Sequence, residues 1–116
     1  MFHYSEEDGA YLAELNGIEF LCTEPSEELE AAANRLAECY EDRLPALAEF
    51  ILEEMETDGL GFGPLTVPEL IEALGKPQIE LDAGVIHYLE QTLDGHIFDV
   101  EYDGDLEEFL VFTLDG

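Results

Sequence analysis

Apolar and polar positions alternate through residues 2–23. Phe2 and Tyr4, then Tyr11, Ala13 and Leu15, occupy every second position of two short runs. That is the period of a strand with one covered face. Asn16-Gly17 follows, and because both residues tolerate positive φ the pair predicts a type I′ hairpin turn. The return strand is Ile18-Glu19-Phe20-Leu21-Cys22-Thr23, with Ile18, Phe20 and Cys22 on one face. Asp8-Gly9 marks an earlier turn.

At Pro25-Ser26 the period changes from two to about 3.6. Leu29, Ala33, Leu36, Tyr40, Leu44, Leu47, Ile51 and Met55 step by three or four and form one apolar stripe over residues 26–57. Ser26 is placed to cap this segment, and Glu27, Glu28 and Glu30 in its first turn suit the positive end of the helix dipole. Pro45 lacks a backbone donor, which predicts a kink or two helices of similar phase. A glycine-dense loop runs from Thr57 to Pro64. Thr66-Val67-Pro68-Glu69 then reads as a capping box opening a short helix that Gly75 closes.

Beyond Lys76-Pro77 the alternation returns, in strands at about 78–82, 85–91, 96–102 and 107–114. Ala83-Gly84, Asp94-Gly95 and Asp103-Gly104 separate them. The expected architecture is one α+β domain over residues 1–116. It comprises an antiparallel sheet, made of an N-terminal hairpin plus a C-terminal β-meander, with a long kinked helical segment packed on one face. Leu36, Tyr40, Leu47 and Ile51 of the stripe are expected to meet Phe98, Val100, Phe109 and Val111 of the sheet.

Charge changes the picture from fold to partner. Thirty acidic residues stand against three basic ones, Arg35, Arg43 and Lys76, for a formal net charge of −27. The apolar fraction of 47% and its periodic placement put this charge on a folded body rather than on a solvated tail. Such a field repels nucleic acid and anionic membrane and attracts cationic surfaces. No run approaches the roughly 20 apolar residues of a membrane span. The start, Met1-Phe2-His3-Tyr4-Ser5-Glu6-Glu7, has neither the basic nor the apolar region of a signal peptide. A cytoplasmic monomer or small homo-oligomer is expected, with Cys22 and Cys39 as free, packed thiols.

Sites for chemistry are scarce. Asp99-Val100-Glu101-Tyr102-Asp103-Gly104-Asp105 has the oxygen spacing of a calcium loop, but its twelfth position is Leu110, so the closing bidentate carboxylate is missing. His3, His87 and His96 form no local half-site for zinc. His87 and His96 flank one turn and are expected to be a structural or half-exposed pair. Ser5 and Ser26 lie outside any nucleophile elbow, and Gly59, Gly61 and Gly63 lack the lysine of a phosphate loop. The expectation is a binding protein rather than an enzyme, with no cofactor and no metal.

Leu93-Asp94-Gly95-His96-Ile97-Phe98-Asp99-Val100, followed by an acidic Asp-Gly turn and a strand closing on Leu114-Asp115-Gly116, resembles a pattern of small bacterial α+β domains. Many of those domains sit beside polymorphic or contact-dependent toxins and look like immunity proteins. The resemblance implies an inhibitor that binds a cognate cationic toxin, a nuclease among the candidates, through its acidic surface. An alternative from another class is a nucleic-acid mimic that blocks a DNA-binding enzyme. The expected contact residues are Asp99, Glu101, Asp103, Asp105, Glu107 and Glu108 on the last hairpin, or Glu53, Glu54, Glu56 and Asp58 at the end of the long helix.

Overall fold

Asn16 (φ 51°) and Gly17 (φ 79°) both lie in the left-handed region, and the chain reverses on them as a primed hairpin turn requires. This turn joins β2 (Ala10–Leu15) to β3 (Ile18–Cys22). Gly9 (φ 66°) makes the earlier reversal between β1 (His3–Ser5) and β2. The computed structural model describes residues 2–57, 65–93 and 97–115.

After β3 the chain enters α1 (Glu27–Thr57), a single 31-residue helix. Ser26 caps it, its Oγ accepting from the Leu29 amide at 3.1 Å. The helix runs unbroken through Pro45, so the two-helix outcome is not what forms. Pro45 is exposed, and the carbonyl deprived of its donor one turn earlier lies on the watered side of the helix. The short helix α2 (Val67–Leu74) starts at the expected box: Thr66 Oγ1 accepts from the Glu69 amide while the Glu69 carboxylate accepts from the Thr66 amide.

Four strands complete the chain: β4 (Gln78–Glu80), β5 (Val85–Tyr88), β6 (Ile97–Asp103) and β7 (Glu108–Asp115). All seven strands form one sheet in sequence order, β1 to β7. The expectation of a wholly antiparallel sheet needs one correction. β3 and β4 pair in parallel, with Glu19 opposite Gln78, Phe20 opposite Ile79 and Leu21 opposite Glu80. The reason lies in the connection, because α1 and α2 carry the chain back to the end of the sheet where β3 began.

The core lies between the helices and one face of this sheet. Leu36, Tyr40, Leu47 and Ile51 of α1 are buried there with Phe20, Ile79, Ile86, Tyr88, Phe98 and Val100. Inside it the Tyr40 and Tyr88 hydroxyls hydrogen-bond each other at 2.5 Å. Burial raises both phenols, Tyr40 to about 12, so each is a neutral hydroxyl.

The last strand departs from simple alternation. Glu101 pairs with Val111 but Tyr102 pairs with Phe109, leaving Leu110 as an extra residue in β7. This bulge shifts the inward set by one. Phe109 still packs against Phe50 of α1, with ring centroids 6.0 Å apart, but the next inward residue is the buried Phe112. Val111, expected inside, is instead 43% exposed, and Leu110 is 50% exposed.

Candidate functional site

On β6, Asp99, Glu101 and Asp103 point away from the helices, about 6.6 Å apart as alternate residues of a strand. Asp103 stands directly opposite Glu108 of β7, a like-charge pair that costs rather than adds sheet stability. Between the strands, the Glu107 amide donates to the Asp103 carbonyl at 3.1 Å, and the Gly104 amide donates to Asp103 Oδ1 at 2.9 Å. Leu106 sits in the turn with φ 62°, a conformation an L-leucine adopts only under compulsion.

What compels it is visible. The Leu106 side chain is fully buried in the core, and its carbonyl accepts from Arg43 Nε at 2.8 Å. Arg43 Nη2 also donates to the Glu107 carbonyl at 3.2 Å, and the guanidinium lies 5.7 Å from the Phe109 ring centroid. One turn of helix earlier, the Cys39 thiol donates to the Asp105 carbonyl at 3.4 Å. Arg35 Nε meets the Asp105 carboxylate at 3.2 Å. A row of α1 side chains thus fixes the hairpin tip from below.

This arrangement sorts the expected contact residues. Glu101, Asp103, Glu107 and Glu108 are exposed. Asp105 is occupied by Arg35, and Asp99 is occupied by His87. Glu53 and Glu56 are exposed and Glu54 is half-buried, whereas Asp58 lies outside the described residues. The contacts Arg35 to Asp105, Arg43 to Leu106 and Phe50 to Phe109 show that α1 and β7 advance in the same direction. Glu53 and Glu54 follow Phe50 by three and four positions, so they share its helix face. Two patches that are separate in sequence therefore flank the β7 edge from opposite layers, Glu53 and Glu54 on the helix side and Glu101 and Asp103 on the open side of the sheet.

His87 stands opposite Asp99, and the expected structural or half-exposed pair with His96 falls on a residue outside the described ones. The strand registers place Glu14, Glu19, Gln78, His87, Asp99 and Thr113 in one row across the open face of the sheet. Gln78 Nε2 donates to Glu19 at 2.6 Å, and Lys76 reaches Glu14 at 3.1 Å. His87 Nδ1 faces Asp99 at 2.5 Å and its Nε2 faces Glu80 at 3.1 Å. Burial pulls the imidazole pKa down, but the two carboxylates together outweigh it and the result is raised. A two-residue turn at Asp94-Gly95 would set Glu90 opposite Asp99 and His87 opposite Tyr102, so the sequence register misses Asp99 by three positions, and no sequence signal pointed to Glu80.

Chemically the site offers carboxylates and main-chain groups. Both thiols are free and both are pushed up, by burial first and then by a neighbouring aspartate, so neither is an activated nucleophile. Among the described residues no three His, Cys, Asp or Glu side chains are grouped to hold a metal ion. Among them, too, no helix is long and apolar enough to cross a membrane. No family model, curated protein or solved structure matches the chain.

Proposed function

We propose that this chain is an immunity-type inhibitor that captures a basic partner protein, a toxin, on the face formed by the β6–β7 hairpin. One observation carries the reading: each permanent cation of the chain is already engaged by the chain itself. Arg35 holds Asp105, Arg43 holds the Leu106 and Glu107 carbonyls, and Lys76 holds Glu14. Glu101, Asp103, Glu107 and Glu108 consequently project from a hairpin whose tip is fixed in place, and none of them is ion-paired with one of these cations. A fixed turn loses little freedom on binding, and surplus charge of one sign accelerates encounter with the opposite sign. Screening limits the field to about 8 Å at physiological ionic strength, so the charge selects the partner and close contacts hold it.

The experiment is rescue of growth. A basic protein encoded beside this chain is expressed in a sensitive host, with and without it. Growth restored by the native chain, and lost with Glu101→Lys plus Asp103→Lys at unchanged thermal stability, supports the reading. Asp105 is left alone because reversing it would break the Arg35 contact that positions the tip. A neighbour that is harmless, or rescue that survives both reversals, removes it.

A further inference from the structure

A strand at the edge of a sheet presents alternate N–H and C=O groups without partners, and proteins guard such edges with shortness, proline, lysine or a bulge. The two edges here differ. β1 has three residues, whereas β7 has eight and contains neither proline nor lysine. Its bulge lies at Leu110, near the start, and from Val111 to Asp115 the pairing with β6 is regular. Among the described residues, β6 is the only strand beside it.

Leu110 and Val111, 50% and 43% exposed, stand at this edge. Val111 is directly opposite the exposed Glu101, and Glu108 opposite Asp103. On the helix side, the α1 face bearing Phe50 and Glu54 runs alongside. The edge therefore joins unpaired backbone, exposed apolar surface and uncompensated carboxylates in one strip. Each makes a demand on whatever covers it. Unpaired backbone calls for an extended segment, and carboxylates beside apolar surface call for lysine or arginine, whose methylene stems cover leucine and valine while the charged ends reach further.

Resting on the reading that the partner is basic, we infer that β7 is the docking edge. An extended segment of the partner, with lysine or arginine on alternate positions, adds to Val111–Asp115 as an eighth strand. Its cationic side chains lie on the open face of the sheet, over Leu110 and Val111 towards Glu101 and Glu108. Small apolar residues on its other face extend the row of Phe112 and Leu114. A second copy of this chain is the wrong occupant. Each copy carries −27, and edge-to-edge pairing would bring both sets of Glu101, Asp103 and Glu108 close together.

The test uses isotope-labelled protein and three synthetic peptides at low salt. The first alternates lysine with valine and threonine. The second is the same peptide N-methylated at alternate backbone positions, which keeps the charge and removes the strand-forming edge. The third replaces lysine by glutamate. The first should slow hydrogen exchange at those amides of residues 111–115 that face away from β6, and N-methylation should weaken binding by about tenfold or more. The glutamate peptide should not bind, and Glu101→Gln with Glu108→Gln should weaken the first peptide and flatten its salt dependence. Equal binding of the N-methylated peptide, with changes confined to Glu101, Asp103, Glu107 and Glu108, would overturn strand addition while leaving the acidic binding face standing. Failure of the lysine peptide to bind, or a dimer through β7 without any peptide, would also overturn it. Rescue in the host reads the broader function independently of all three.

Discussion

Arg43 donates from Nε to the carbonyl oxygen of Leu106 at 2.8 Å, joining α1 to the hairpin tip across 63 positions of sequence. The bond holds a leucine whose φ is positive, and its guanidinium fork takes the next carbonyl as well. Arg43→Ala should therefore cost about 1.5–3 kcal/mol, the range for hydrogen bonds to a charged group. Arg43→Lys should recover little, because a point charge cannot span two carbonyls. Urea unfolding reads the stability, and amide exchange at residues 104–108 reads the tip. Unchanged values in both would show that Arg43 is not what fixes the turn.

The Tyr40 and Tyr88 hydroxyls depend on each other inside the core. Removing either one by Tyr→Phe leaves a buried polar group without its partner, at a cost of about 1–3 kcal/mol. Removing both leaves none, so the double variant should be more stable than the sum of the singles predicts. A double-mutant cycle measures this coupling directly. Additive costs would mean that each hydroxyl has another partner.

His87 makes stability depend on pH. Its folded pKa is raised above the ordinary value of about 6.5, so its contribution is fully present below that value. It is lost as pH rises through the folded pKa. Between pH 6 and pH 8.5 the native protein should therefore lose more thermal stability than His87→Asn, which keeps the acidic background and removes the titrating ring. Parallel pH profiles for the two proteins would refute the contribution, and a histidine titration followed by NMR would locate the folded pKa.

Leu47 and Val111 are both aliphatic, yet their truncations should differ sharply. Leu47 is 1% exposed, and Leu47→Ala should cost about 2–5 kcal/mol through lost burial and the cavity left behind. Val111 is 43% exposed, and Val111→Ala should stay within about 0.5 kcal/mol. Equal costs would mean that the bulge does not turn Val111 outwards.

Local grammar was legible in the sequence wherever a short motif dictates its own geometry. Asn16-Gly17, Ser26 and the Thr66–Glu69 box each act within a few residues, and each forms as its chemistry requires. The long stripe from Leu36 to Ile51 was equally readable, because a helix repeats one rule along its length. The inward side of β7 was not, since a single extra residue at Leu110 reverses the parity of all that follows. The parallel pairing of β3 and β4 was missed because both strands carry ordinary alternation and only the intervening path sets their relative direction. At the hairpin, the carboxylates were visible as a run of acids. That Arg35 takes Asp105 and His87 takes Asp99 depends on long-range docking, which no spacing along the chain encodes.

The parallel junction between β3 and β4 also sets a schedule. Every other neighbouring pair of strands is joined by a connection that stays within its own stretch of chain, whereas Glu19 and Gln78 meet across 59 positions. Closing so long a loop is entropically slower than zipping a hairpin, so the N-terminal three strands and the C-terminal four can each pair before they join. Arg35 and Arg43 lie in the chain between those pieces. A nascent or half-folded molecule can thus hold a complete β6–β7 hairpin whose tip is still loose, and it gains its fixed acidic face only when the two pieces close around α1. Fixing of the hairpin tip and completion of the fold are therefore one event.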